Sequence, residues 1–156
     1  RNSSSAASDV YKRQNIYISL YSTSMNIKSS QQLVEEANKT IETLSPEEVK
    51  ILMEKNEITL IDVRDIRELW KEGTIENSIH IPRGMLEFWL DPESSYFNSS
   101  KIKDTKKLVL FCAGGFRSAL ATKSLLDMGF KNVAHVEGGF TALKNAGLKV
   151  VDKERK

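Results

Sequence analysis

The chain has 156 residues, 23 Lys and Arg against 21 Asp and Glu, two histidines and a single cysteine. That length holds one domain around one core, and a net charge of +2 gives no pull toward nucleic acid or acidic lipid. One thiol excludes an internal disulfide and suits a reducing, cytoplasmic setting. With only His80 and His135 beside it, it cannot build a thiol-rich zinc site, so no metal is expected.

No apolar run approaches the roughly 20 residues needed to span a bilayer, so a soluble chain without a membrane partner is expected. The opening "RNSSSAASDVYKRQ" is Ser-rich, lacks an apolar period and precedes Met25, which reads as a natural start. Residues 1–24 are therefore expected to be a disordered or non-native leader and are set aside. Residues 25–42 read as an N-terminal helical extension through "SSQQLVEEANKTI", and "IETL" as a short strand at its end.

"SPEEVKILMEK" carries a capping box, with Ser45 as N-cap, Pro46 at the first helical position and Glu48 three residues on. "ITLIDV", Ile58–Val63, is a β-branched apolar run of the kind a strand buried on both faces requires. "RDIRELWKEG" follows as a short helix closed by Gly73. "SIHIP" reads as a strand stopped by Pro82, and "GMLEFWL" as a helical turn or two. "KLVLFC", Lys107–Cys112, is the most apolar strand candidate, and "FRSALATKSLLDMGF" a helix with Gly129 past its end. "NVAHV" and "GGFTALKNAG" give a last strand and helix before the solvated tail "VDKERK", residues 151–156. Strands alternating with helices imply an α/β fold, a small doubly wound parallel sheet with helices on both faces.

The chemistry concentrates in "CAGGFRS", Cys112–Ser118. In such a sheet, ligands bind beyond the carboxyl ends of the strands, which is where Cys112 falls. Gly114 and Gly115 free the backbone to turn successive N–H groups inward, and the helix starting near Phe116 adds unpaired N–H groups. These surroundings favour a thiolate at Cys112 and an anion at the loop centre. Arg117 adds a planar cationic fork, and Ser118 a hydroxyl able to reach the sulfur. A lone cysteine or a Gly-Gly pair means little alone; the strand–Cys–Gly–Gly–Arg–Ser–helix conjunction makes Cys112 the candidate nucleophile.

"DVRDIRELWKEGTIENSIHIPRG" followed by "LVLFCAGGFRSALATKSLLDMGFKNVAHVEGGFTAL" resembles the single-domain rhodaneses, a sulfurtransferase family. The likeness runs from about Thr43 to Gly147, within an expected rhodanese-like domain at residues 43–150. The matching positions are Asp62–Arg64, Glu68, Gly73, His80–Pro82, the Cys112–Ser118 loop and Glu137–Gly139. The family implies that Cys112 takes a sulfane sulfur from a donor such as thiosulfate or a protein persulfide. It then passes the sulfur to cyanide or a thiol through a persulfide, with no cofactor. The substrate loop is then Ala113, Gly114, Gly115, Phe116, Arg117 and Ser118, supported by Asp62, Arg64 and Arg83. Asp62 is expected to tie down backbone, and Arg64 to pair with an acid such as Glu68 or to add positive potential at the pocket. Three departures, Thr74, the pair Asn77-Ser78 and Phe140, are expected to touch only surface turns and packing. His80 and His135 are expected to be core residues satisfied by backbone groups, and both lie far from the loop in sequence.

Two other classes compete. Cell-cycle dual-specificity phosphatases resemble this fold and close a cysteine loop with arginine, but place five residues between the two. Here there are four, Ala113 to Phe116, and a tighter ring suits one sulfur atom over a phosphoryl or arsenate group. A non-catalytic carrier or sensing module is the remaining alternative, although such relatives often lack the cysteine that this chain keeps.

Overall fold

A computed structural model describes residues 3–102 and 106–156, which divide between two compact units, Arg1–Leu33 and Val34–Lys156. In the first unit, helix α1 (Ser3–Met25) occupies the segment set aside as a leader. Its described side chains, residues 4–20, are all exposed. A helix with no buried stripe matches the missing apolar period; the first two residues of that segment lie outside those described. Helix α2 (Ser30–Asn38) runs from the first unit into the second.

The second unit is built on a five-stranded sheet and a separate two-stranded one. Strand β1 (Glu42–Leu44) leads into α3 (Pro46–Glu54), whose Ser45–Glu48 capping box forms as the sequence predicts. Strand β2 (Ile58–Asp62) is followed by α4 (Ile66–Glu72), β3 (Thr74–Ile75) and β4 (Ile79–His80). A 3₁₀ turn at Arg83–Met85 and the short α5 (Leu86–Leu90) precede β5 (Lys107–Phe111). Helix α6 (Phe116–Met128), β6 (Val133–Val136), α7 (Gly139–Asn145) and β7 (Val150–Val151) complete the chain.

The main sheet is parallel, in the order β1-β6-β5-β2-β4. From β2 the chain moves to β4, and from β5 to β6, so connections depart in opposite directions between these neighbours. That reversal leaves a crevice at their carboxyl ends. One face packs Leu60, Val109, Phe111 and Val136 against Val49 of α3 and Leu143 of α7. The other packs Ile61, Leu108 and Leu110 against Leu86 and Leu90 of α5 and Leu125 of α6. Helices thus cover both faces, as the alternating pattern requires.

Two findings depart from the sequence-based limits. Val34 and Ala37 of α2 pack with Ile41 on Ala119 of α6, so the compact unit begins inside the expected extension. Strand β7 pairs antiparallel with β3, Val151 opposite Thr74, which brings the first residue of the expected tail into a sheet. Two-residue strands carry little readable period, which is why the β3–β7 pairing was not anticipated.

Candidate active site

Successive residues of a strand point to opposite faces. Phe111 therefore enters the core beneath α7, and Cys112 turns toward α6 on the other side. Cys112 is only 1% exposed. Its Sγ accepts hydrogen bonds from the Gly115 N–H at 3.1 Å and the Ser118 N–H at 3.4 Å. Of the two loop glycines only Gly115 takes a left-handed conformation, φ +104°, and this rotation aims its amide at the sulfur. Gly114 lies exposed at the loop's outer edge, and Phe116 is 71% exposed beside it.

The base of the loop is fixed by α7. Phe140 N–H donates to Cys112 O at 2.7 Å, and Thr141 N–H to Ala113 O at 3.5 Å. This approach depends on Gly139, at φ +60°: a Cβ there would collide with Cys112 O and lie 2.7 Å from Ala113 O. The "EGG" segment is therefore a floor on which the cysteine loop rests.

Arg117 departs from expectation. Its guanidinium is not free at the loop centre but makes a two-pronged contact with Glu68 of α4, Nη1 to Oε1 at 2.6 Å and Nη2 to Oε2 at 2.9 Å. The Glu68 hydrogen bond is the main cause raising the Arg117 pKa, with smaller contributions from the charge of Glu68 and the Cys112 sulfur, against a lowering by burial. Reciprocally, the Arg117 hydrogen bond holds the Glu68 carboxyl below its ordinary value. Glu68 was expected as a partner of Arg64; it serves Arg117 instead.

Arg64 is fully buried and lies on the opposite face of the sheet from Cys112. It stacks over the Phe140 ring, 4.0 Å from its centroid. Its donors reach Asp62 at 2.8 Å, Glu72 at 3.2 Å and Gly73 O at 2.8 Å. Asp62 also accepts the Arg64 backbone N–H at 3.0 Å, the tethering role expected of it. It further accepts the Thr74 hydroxyl at 2.7 Å. Thr74 is thus part of a buried network, not of a surface turn. Arg64 places no charge at the loop; the expectation of pocket potential fails because its fork is consumed inside the fold. Arg83 pairs with Glu87 one helical turn on, at 2.8 Å.

The histidines divide. His80 Nε2 bonds Arg64 O at 2.7 Å, a backbone partner as expected. His135 does not follow that pattern. Its Nδ1 meets Ser118 Oγ at 3.2 Å, its Nε2 meets Thr43 Oγ1 at 3.1 Å, and Ser118 Oγ lies 3.6 Å from Cys112 Sγ. The buried ring thus reaches the loop through one hydroxyl. Strand alternation carried a signal for this: within "VAHV", Val133 faces the same core as Cys112, and His135, two residues on, shares that face. Burial lowers the His135 pKa to about 4.

This cysteine cradle on a parallel sheet coincides with a family match. Residues 45–146 match the family model described as rhodanese-like domain. The chain belongs to the rhodanese-like family. Among solved structures, this rhodanese-like protein resembles one from Rhodopseudomonas palustris CGA009, described as of unknown function and a possible tyrosine phosphatase. That match has 43% identity and a TM-score of 0.75, covering 80% of this chain and 95% of the other. The 30 kDa polysulfide-sulfur transferase homodimer from Wolinella succinogenes is 35% identical with a TM-score of 0.63, over 80% of this chain and 88% of that one. Among curated proteins, the tRNA uridine(34) hydroxylase of Photorhabdus laumondii is 33% identical over 65% of this chain, which spans about 28% of that relative's length. Among the described residues, no helix is long and apolar enough to cross a membrane.

Proposed function

We propose that the protein transfers a sulfane sulfur from a donor such as thiosulfate or a protein persulfide to a thiol or cyanide, through a persulfide on Cys112, in a reducing cytoplasm. The observation that carries this reading is the pair of N–H groups, from Gly115 and Ser118, already converging on Sγ within a loop of four residues between Cys112 and Arg117.

In the first step the Cys112 thiolate attacks the outer sulfur of the donor. A new S–S bond forms, the donor's S–S bond breaks, and sulfite leaves with the electron pair when thiosulfate is used. The terminal sulfur then carries negative charge, which loop amides stabilise as an oxyanion hole stabilises oxygen. An acceptor thiolate or cyanide attacks that sulfur, and the electron pair of the broken bond returns to Cys112. The guanidinium donors that Glu68 leaves free are available to the departing anion. The steps as written use no metal or organic cofactor.

The likeness to a possible tyrosine phosphatase makes phosphoryl transfer the rival. Against it stand the four-residue loop and the Glu68 carboxylate on Arg117, which offsets the positive charge that a dianionic ester needs. Intact mass separates the readings. After incubation with thiosulfate or polysulfide the protein should gain one sulfur, lose it on adding cyanide, and gain none as Cys112→Ser. Hydrolysis of p-nitrophenyl phosphate without sulfur uptake would establish the phosphatase reading instead. Neither activity would leave the carrier or sensing module.

A further inference from the structure

Cys112 Sγ, Ser118 Oγ, His135 Nδ1 and Nε2, and Thr43 Oγ1 form one unbroken row of hydrogen-bonding atoms, with steps of 3.6, 3.2 and 3.1 Å. The row begins at a buried sulfur, passes through a fully buried hydroxyl and a buried imidazole, and ends at the exposed Thr43 on β1. That end opens into a cleft also lined by Asn38, Gly115, Phe116 and Glu137. We propose that His135 is a positioning residue that, with Ser118, relays the Cys112 proton to solvent at Thr43 and then holds the Ser118 hydroxyl on the thiolate. The inference deepens the proposed sulfur transfer, which needs the thiolate, and rests on that reading for its purpose only.

The proton balance is complete. In the thiol state S–H donates to Ser118 Oγ, Ser118 O–H donates to His135 Nδ1, and Nε2–H donates to Thr43 Oγ1, whose own hydrogen faces water. The sulfur proton passes to Ser118, the Ser118 proton to Nδ1, the Nε2 proton to Thr43, and the Thr43 proton to water. Every bond in the row then runs the other way. Thr43 O–H donates to Nε2, Nδ1–H to Ser118 Oγ, and Ser118 O–H to the thiolate. One proton has left the protein, and the ring is neutral before and after.

This matters because burial keeps His135 uncharged at neutral pH. A ring of that kind is a poor proton store, yet it conducts a proton without holding one. Other charges facing the row are few. Arg117 and its partner Glu68 lie on the α6 and α4 side, Glu137 follows β6, and Glu42 on β1 is paired with Lys107 of β5. Of these, Arg117 interacts with the sulfur electrostatically.

The test reads the thiolate directly. The chain has a single cysteine, so its thiolate ultraviolet absorbance, titrated against a Cys112→Ser blank, reports one group and needs no sulfur donor. His135→Leu should move the midpoint upward by about one pH unit, roughly tenfold less thiolate at fixed pH, as expected for one charge-assisted hydrogen bond. Ser118→Ala should give a similar shift, and the double variant little more, since both cut the same row. His135→Asn, which retains a donor near Nδ1, should recover most of the midpoint. It should still deprotonate more slowly after a pH jump, because an amide does not exchange protons between its ends. Folded variants whose midpoints match the parent, or shifts of His135→Leu and Ser118→Ala that add in full, would overturn the relay. If His135→Leu fails to fold, the Ser118→Ala and His135→Asn measurements decide alone. Loss of sulfur loading with the midpoint shifts intact would instead remove the proposed function and leave the relay standing.

Discussion

Glu68 governs how much of the Arg117 charge a substrate meets. Its carboxylate occupies two guanidinium donors, so an anionic donor competes with a resident acid. Glu68→Gln should therefore lower the KM for thiosulfate while leaving loading from an uncharged persulfide donor nearly unchanged. Arg117→Ala should do the reverse for thiosulfate, lowering kcat/KM roughly tenfold or more if a charge-assisted bond worth about 1.5–3 kcal/mol is lost. Steady-state sulfur transfer with both donors checks the pair. At this scale Cys112 and Gly115 were legible because a strand end, a positive-φ glycine and a helix start are local events. The partner of Arg117 was not, for Glu68 lies 49 positions away and only the tertiary fold joins them. His135 was misread for a related reason: its strand was recognised, but the side chain opposite it on α6 was not.

Among elements, the Asp62–Arg64–Glu72 network binds the end of β2 to the end of α4, and Gly73 O and Thr74 extend it to β3. Arg64→Met would leave Asp62 buried with its charge unpaired, a change that costs roughly 3–5 kcal/mol in comparable sites. The urea midpoint should fall accordingly, whereas sulfur loading by the fraction still folded should persist, because Arg64 does not touch the cysteine loop. At the other junction, Gly139→Ala forces a methyl against the carbonyls of Cys112 and Ala113. It should cost about 1–3 kcal/mol by overpacking and, unlike Arg64→Met, should also impair loading by displacing the loop. The long apolar strands β2 and β5 and the capped helices α3 and α6 announced themselves through composition and end signals. The β3–β7 pair did not, since its partners gain meaning only when the chain's last turn folds back on Gly73.

For the molecule as a whole, His135 and Glu68 both shape the acid side of the stability curve. Beside them stand the exposed carboxylates Asp65 and Glu48, which hydrogen bonds to Arg67 and Ser45 also hold below their ordinary values. Unfolded His135 takes up a proton near its ordinary value of 6.5, while the folded ring resists until about 4. The unfolded state therefore binds more protons in that window, and stability falls as pH drops from 6.5 toward 4. Glu68 acts lower down: its folded pKa lies below 4.5, so its contribution is complete above that value and is lost as pH falls beneath it. Thermal melts across this range should show a decline in two stages. His135→Asn should flatten the upper one, and Glu68→Gln should reduce the lower, where Asp65 and Glu48 also act.

The near-complete enclosure of Cys112 has a consequence for traffic. A cysteine with 1% of its surface open to solvent favours slender reagents over bulky disulfides. A second sulfur bonded to it would lie about 2 Å beyond the first. On the proposed reading, Cys112 would be sheltered from adventitious oxidants while the sulfur it carries is the more accessible atom.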